Sequence, residues 1–174
     1  MSRLILGGAL CLLTALVTSL WWRSADHAVL TLPDAPYQYV NLPLPLYFST
    51  PGHNSDNSPT DNPITDAGAT LGRVLFYDRR LSANHTTACS SCHVQQHAFA
   101  DTRPRSSGLH GALTDRRAMP LVNLPYYQRA RFFWDERAGN LEEMVLLPIQ
   151  SRVEMGMDLS RLVARLRHDA RYPK

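Results

Sequence analysis

The chain has 174 residues, enough for one domain with an appendage, and an ordinary 44% of them are hydrophobic. Its net charge is +3, and setting aside Arg3 and Arg23, in or beside the N-terminal segment, leaves 16 of the 18 basic residues against 15 acidic ones, or +1. That balance gives no electrostatic footprint for nucleic acid, and 12 prolines argue against a smooth helical bundle and for long, ordered loops.

Residues 1–23 read as a signal peptide or membrane anchor. Met1–Arg3 give a short positive start, Leu4–Leu20 is an apolar run, and Trp21, Trp22 and Arg23 suit an interfacial anchor. The run is longer than a usual secretory segment and no clean A-x-A follows, so an uncleaved or inefficiently cleaved anchor through residues 4–22 is favoured. In either form the rest of the chain is expected outside the cytoplasm, in the periplasm. Cys11 lies within the run without a convincing lipobox and reads as a small apolar residue.

Residues 24–60 are Pro-rich and aperiodic, a tether or a strap lying on the domain, with "NLPLPLYF" apolar enough to pack on something and His53 exposed. The domain proper is expected over 61–174. From Thr65, a Thr/Asp cap followed by Ala67, Leu71, Val74 and Leu75 predicts a helix. Gly68 and Gly72, one turn apart on it, suggest the close approach of another element or of a flat cofactor. "DRRLSANHTTA" is a turn-rich connection, "CSSCH" opens a short helix, and Ala98–Arg131 is irregular. "NLEEMVLLPI" predicts a helix from Asn140 stopped by Pro148. "DLSRLVARLRHDARY" predicts an amphipathic helix capped by Asp158, with Leu159, Leu162, Val163 and Leu166 on one face. No strand and no repeat is visible, so the class is mainly α with long loops.

The densest chemistry is Cys89, Cys92 and His93, with His97 and His110 close behind. A redox pair would want a thioredoxin-like βαβ setting, and zinc a second ligand pair at matching spacing. A structural disulfide across two residues would be strained and leave His93 idle. Covalent haem attachment uses all three: both thiols add to the porphyrin vinyl groups, and His93 ligates iron from the proximal side. For the opposite side the candidates are His97, His110, Met119, Met144, Met155 and Met157. His97 is too near His93 in sequence and reads as a polar residue at the haem edge. His110 lies between Gly108 and Gly111, which let a loop fold over a haem. Phe132, Phe133 and Trp134 read first as core and second as porphyrin packing and an electron route. Glu154, between apolar neighbours, is either a solvated loop residue or a buried acid–base group.

The stretch from "NPITDAGATLGRVLFYDRRLSANHTTACSSCHVQQHAFAD" through "SSGLHG", "MPLVN", "FFWDER", "LEEMVLLPI" and "VEMG" resembles the N-terminal half of the bacterial di-haem cytochrome c peroxidases, a superfamily that includes MauG-type enzymes. The resemblance runs from about residue 62 to the C-terminus. It implies a cytochrome c-like helical domain whose haem c is held by Cys89 and Cys92, with His93 and His110 as the iron ligands. It further implies His110 as a distal histidine that dissociates on activation and Glu154 as the catalytic acid–base. Phe133 and Trp134 fall near the route between two haems. The substrate implied is hydrogen peroxide, reduced with electrons from a small cytochrome c or cupredoxin. Met144 stands where a distal-pocket glutamine is common, and Glu136 where the Trp-Asp-Gly-Arg run has glycine. Ala118 replaces an asparagine that helps bind calcium, which puts that ion in doubt. The chain stops at "RYPK" before a second C-x-x-C-H, so the second haem domain is expected to be absent from it. The alternatives are a mono-haem c-type electron carrier and a MauG-type oxidase fragment.

Overall fold

Helical spacing of apolar residues after a Thr/Asp cap builds α1, Asp66–Tyr77, in the computed structural model, which describes residues 31–49 and 56–172. Thr65 Oγ1 accepts the Gly68 N–H at 3.0 Å and so closes the first turn. Thr70 and Val74 form its buried stripe. Among the described residues no second element presses on the two helix glycines. A Cβ on Gly68 would meet its own cap, Thr65 Oγ1, and one on Gly72 would meet open space.

Past a 3₁₀ turn at Arg79–Leu81 comes α2, Cys89–Cys92, the short helix expected at the C-x-x-C unit. Helix α3 spans Leu141–Gln150, capped by Asn140 through the Glu143 N–H at 2.7 Å. It runs two residues past Pro148, against expectation. The fixed φ of proline suits a helix, and near the C-terminus the missing N–H removes one bond, the one that would reach Met144 O. Ser151 N still closes on Leu147 O at 2.9 Å, and Ile149 beyond the proline is buried. Helix α4, Leu159–Arg167, is capped by Asp158 as expected. Leu159, Leu162 and Leu166 pack on the core, whereas Val163 stays 47% exposed at the margin of the stripe.

The core cluster is Leu81, Ile149, Met155, Met157 and Leu162, joined by Leu75, Leu159 and Leu166. It therefore unites α3, α4, the end of α1 and the loop after α3. A polar network locks the same elements. Asp78, buried, accepts from Arg80 and from Tyr172 Oη (2.5 Å), Arg80 also pairs with Asp169, and Arg165 donates to Ser82 O at 2.9 Å. Burial opposes the Asp78 charge, but the Arg80 and Tyr172 hydrogen bonds outweigh it and hold the carboxyl below its ordinary range.

The irregular region is organised by isolated antiparallel bridges that close loops: Val94 with Ala100, Ser107 with Leu113, and Phe132 with Ala138. Among the described residues there is no longer strand, and the class is mainly α. Residues that face α1 in the Pro-rich stretch are tied to it. Tyr37 N donates to Thr70 Oγ1 at 2.9 Å, and Tyr39 N and Val40 N donate to Asp66 Oδ1 at 2.6 and 2.9 Å. Further along, Phe48 stacks on Tyr126 and Asn57 bonds the backbone at Leu124, Pro125 and Tyr127. Leu42, Leu44, Leu46 and Tyr47 are mostly exposed, and Tyr47 meets the Phe48 ring edge-on at 5.6 Å. Residues 1–23, including the proposed anchor and Cys11, and His53 lie outside the described residues. No helix among the described residues is long and apolar enough to cross a membrane.

Candidate haem site

His93 follows α2 directly, and its ring is fixed by the loop that comes next. Ala98 and Phe99 both take left-handed backbone conformations, φ 55 and 57. This turns the chain so that Phe99 O stands 2.8 Å from His93 Nδ1. Two non-glycine residues in that region are a local cost, retained where surrounding structure dictates them. A carbonyl can only accept, so Nδ1 carries the proton and Nε2 keeps its lone pair. That is the tautomer a metal-ligating histidine requires, with the second nitrogen oriented by a backbone carbonyl. Phe76 of α1 stands beside both rings, 6.5 Å from His93 and 5.8 Å from Phe99.

The two cysteines are partly buried free thiols. Burial pushes Cys89 up to about 11. Burial, reinforced by the Asp101 charge, also raises Cys92. Both are thus neutral thiols at physiological pH, the reverse of a reactive C-x-x-C pair with a depressed thiolate. Among the described residues no cluster of three or more His, Cys, Asp or Glu side chains is arranged to hold a metal ion. The donor set fits haem c: two unpaired thiols one helical turn apart, and an adjacent imidazole with its Nε2 free.

Cys92 Sγ contacts Ser107 O at 3.8 Å, which brings α2 against the loop that carries His110. That loop is interlocked with the one that carries Glu154. Leu109 N donates to Val153 O at 2.8 Å. Gly108 is so close that a Cβ there would stand 2.1 Å from Val153 O and 2.8 Å from Glu154 Cα. Gly156 (φ +61) meets the Leu109 side chain in the same way. His110 itself sits exposed at the loop tip with φ 54. Glu154 is half-buried, its backbone N–H donating to Ser151. Met155 and Met157 on either side of Gly156 are buried, 3% and 1% exposed, which fixes the Glu154 loop from below. Both belong to the hydrophobic core cluster.

A third segment joins here. Ala83 N donates to Met155 O at 2.8 Å, and next to it Asn84 Nδ2 stands 3.4 Å from His110 Nδ1. Sequence reasoning missed Asn84, which read as one polar residue in a turn-rich connection, and Phe99, whose part is played by a carbonyl that every residue has. The Asp101–Arg103 pair beside Cys92 was missed too. The Arg103 hydrogen bond holds that carboxyl down at about 2.

Of the aromatic run, Phe132 alone is core, 5% exposed. Phe133 lies under the Arg137 guanidinium at 3.7 Å. Trp134 is 48% exposed, and its Nε1 donates to Arg117 O. Their loop joins the His110 segment indirectly, since Ala118 N donates to Ser106 Oγ. Glu136 takes φ 55, a conformation glycine adopts without penalty, so the glycine usual in that run has a backbone reason. His97 is exposed. A cleft of about 380 Å³ opens between residues such as Asn57, Gly68, Phe132 and Asn140, and Cys89, Cys92, His93, His110, Phe133, Trp134 and Glu154 do not line it.

These features define a mainly α domain built around a candidate haem c site. Residues 66–174 match the family model for di-haem cytochrome c peroxidase, and the chain belongs to that family. It is 37% identical over 127 residues to the methylamine utilization protein MauG of Methylophilus methylotrophus, which covers 73% of this chain and 37% of that protein. It is 41% identical over 93 residues to cytochrome c551 peroxidase of Pseudomonas aeruginosa, covering 53% and 26%. Among solved structures, a MauG-like protein associated with microbial copper homeostasis superposes with a TM-score of 0.59 at 36% identity, over 70% of this chain and 37% of that one. The chain thus spans between about a quarter and little more than a third of these relatives' lengths.

Proposed function

We propose that this chain is the peroxidatic, cytochrome c-like haem domain of a hydrogen peroxide-reducing enzyme of the cytochrome c peroxidase type. In this reading Cys89 and Cys92 hold one haem c covalently and His93 ligates it through Nε2. When bound, the haem would supply one-electron redox chemistry and an iron to which peroxide could bind. His110 is the distal imidazole, and Glu154 takes a proton from one peroxide oxygen and returns it to the other. A carboxylate suits that exchange because it can serve as base and then as acid. Phe133 and Trp134 stand on the electron route. A small periplasmic cytochrome c or cupredoxin is the electron donor, with the second haem supplied by the family's other domain. Residues 1–23 carry the domain out of the cytoplasm, and the segment 4–22 holds it at the inner membrane.

The observation that supports this reading most is the His93–Phe99 contact, which leaves one imidazole nitrogen free beside two neutral thiols. The interlocked His110 and Glu154 loops support the distal assignment. A second reading, a MauG-type oxidase acting on a large substrate, is favoured by the likeness to MauG proteins.

The test uses the full haem-loaded chain, peroxide and a reduced donor cytochrome. Donor oxidation is expected, with Glu154→Gln slowing it by about 100- to 10,000-fold, the usual worth of a positioned acid–base group. Cys89→Ala is expected to abolish normal two-point attachment, read by a haem stain on a denaturing gel. A haem-loaded chain that oxidises no donor in the presence of peroxide would refute the peroxidase reading in favour of a plain electron carrier.

A further inference from the structure

We infer that Asn84 is a positioning residue for His110. It holds that imidazole with Nδ1 as acceptor and the proton on Nε2, so that at rest His110 is a distal hydrogen-bond donor and not the sixth ligand of the iron. The inference deepens the proposed function and rests on its assignment of His110 to the distal side.

Thr86 fixes which end of the Asn84 amide is the oxygen. Its backbone N–H points at one terminal atom of the Asn84 amide, 3.2 Å away, and its hydroxyl lies 2.7 Å from the same atom. A backbone N–H can only donate, so that atom is the amide oxygen. The other terminus, 3.4 Å from His110 Nδ1, is then the NH₂ group, which can only donate. Nδ1 must accept, and the neutral ring carries its proton on Nε2.

This arrangement is the mirror of the one at His93. There a carbonyl accepts from Nδ1–H and frees Nε2 for a metal. Here an amide donates to Nδ1 and blocks it, while Nε2 is protonated. One histidine is prepared as a ligand and the other as a donor. To ligate through Nε2, His110 would have to exchange its tautomer and give up the Asn84 contact. An Nε2–H is what a peroxide oxygen needs when negative charge develops on it.

The backbone supports the same role. The loop tip reaches Asn84 because His110 takes φ 54. The loop is held against the Val153–Gly156 segment, and that segment is bonded to Ala83, the neighbour of Asn84. Residues 83–86, 107–113 and 153–156 thus fix the Asn84–His110 pair from both sides.

The test is spectroscopic and uses the ferric, haem-loaded full chain. The wild type is expected to show a high-spin absorption and electron paramagnetic resonance spectrum that His110→Ala leaves high-spin. Asn84→Asp replaces the donor with a carboxylate acceptor. The proton then moves to Nδ1, Nε2 is freed, and the spectrum is expected to shift to predominantly low-spin bis-imidazole. His110→Ala in the Asn84→Asp chain must remove that signal. Asn84→Ala, which only deletes the donor, is expected to give a partial shift and serves if Asn84→Asp does not load. A wild-type chain already low-spin through His110 overturns the inference, as does a high-spin spectrum unchanged in both Asn84 variants. Failure of the proposed function reads differently: no haem on Cys89 and Cys92 removes both together, whereas a haem-loaded chain inactive toward peroxide leaves the spin-state result standing.

Discussion

Gly108 has no room for a side chain, and its reason is a neighbour, not a turn. A methyl group there would collide with Val153 O and Glu154 Cα, both backbone atoms that cannot swing aside. Gly108→Ala must therefore part the His110 loop from the Glu154 loop. The expected cost is about 1–3 kcal/mol, the usual range for overpacking, read by thermal melts, with haem content unchanged because Cys89, Cys92 and His93 lie on other backbone. Gly111→Ala is the control. Its Cβ would meet open space, and only the φ of +77 makes it unfavourable, so its melt should shift less and peroxide turnover should persist. At this scale the sequence was uneven. Cys89, Cys92 and His93 were legible because haem attachment needs those types at that spacing. Glu154 and His110 stood out from the resemblance, and the interlock between their loops did not, since contacts between distant segments leave no period. Asn84 and Phe99 act through a tautomer and a carbonyl, neither of which has a sequence signature.

The starts of α1, α3 and α4 were the most legible elements, because a side chain supplies the missing acceptor at each: Thr65, Asn140 and Asp158. The end of α3 was not, because proline near a helix C-terminus gives up one bond and no more. Val163 was misplaced on the buried stripe because spacing gives the centre of a stripe and not its width. What spacing could not supply at all is the seat of the Pro-rich segment on α1. Asp66 Oδ1 accepts the Tyr39 and Val40 N–H groups, and these two hydrogen bonds hold its carboxyl below the ordinary value of 3.8. A depressed carboxyl stabilises above its ordinary pKa and loses that contribution as pH falls through the shifted one. The strap is therefore expected to hold at neutral pH and to loosen in acid, below about pH 4. Asp66→Ala should loosen it at every pH, and Asp66→Asn, which keeps an oxygen acceptor, should loosen it less. Limited proteolysis between residues 31 and 49, followed by mass spectrometry, reads the difference. Equal cleavage in wild type and Asp66→Ala would show that the strap is held elsewhere.

At the scale of the whole molecule, core and site share one loop. Met155 and Met157 are buried, Gly156 between them turns at φ +61, and Met157 N closes the loop on Ile149 O at 2.8 Å. Glu154 is thus aimed by the packing of its neighbours, and the side that holds Ala83, hence Asn84, is bonded to Met155 O. Stability and chemistry are then coupled through Met157, 1% exposed at the centre of the core cluster. Met157→Ala should cost about 2–5 kcal/mol, because a cavity is left that rigid neighbours fill only in part. Met157→Leu, nearly the same volume, should cost less than about 1.5 kcal/mol. If the loop is held by packing, peroxide turnover measured well below the melting temperature should fall with Met157→Ala and survive Met157→Leu, with the haem spectrum of both variants intact. A folded Met157→Ala chain with full turnover would show instead that Glu154 is held by its backbone bonds to Ser151 alone. The core methionines would then support the fold without aiming the carboxylate.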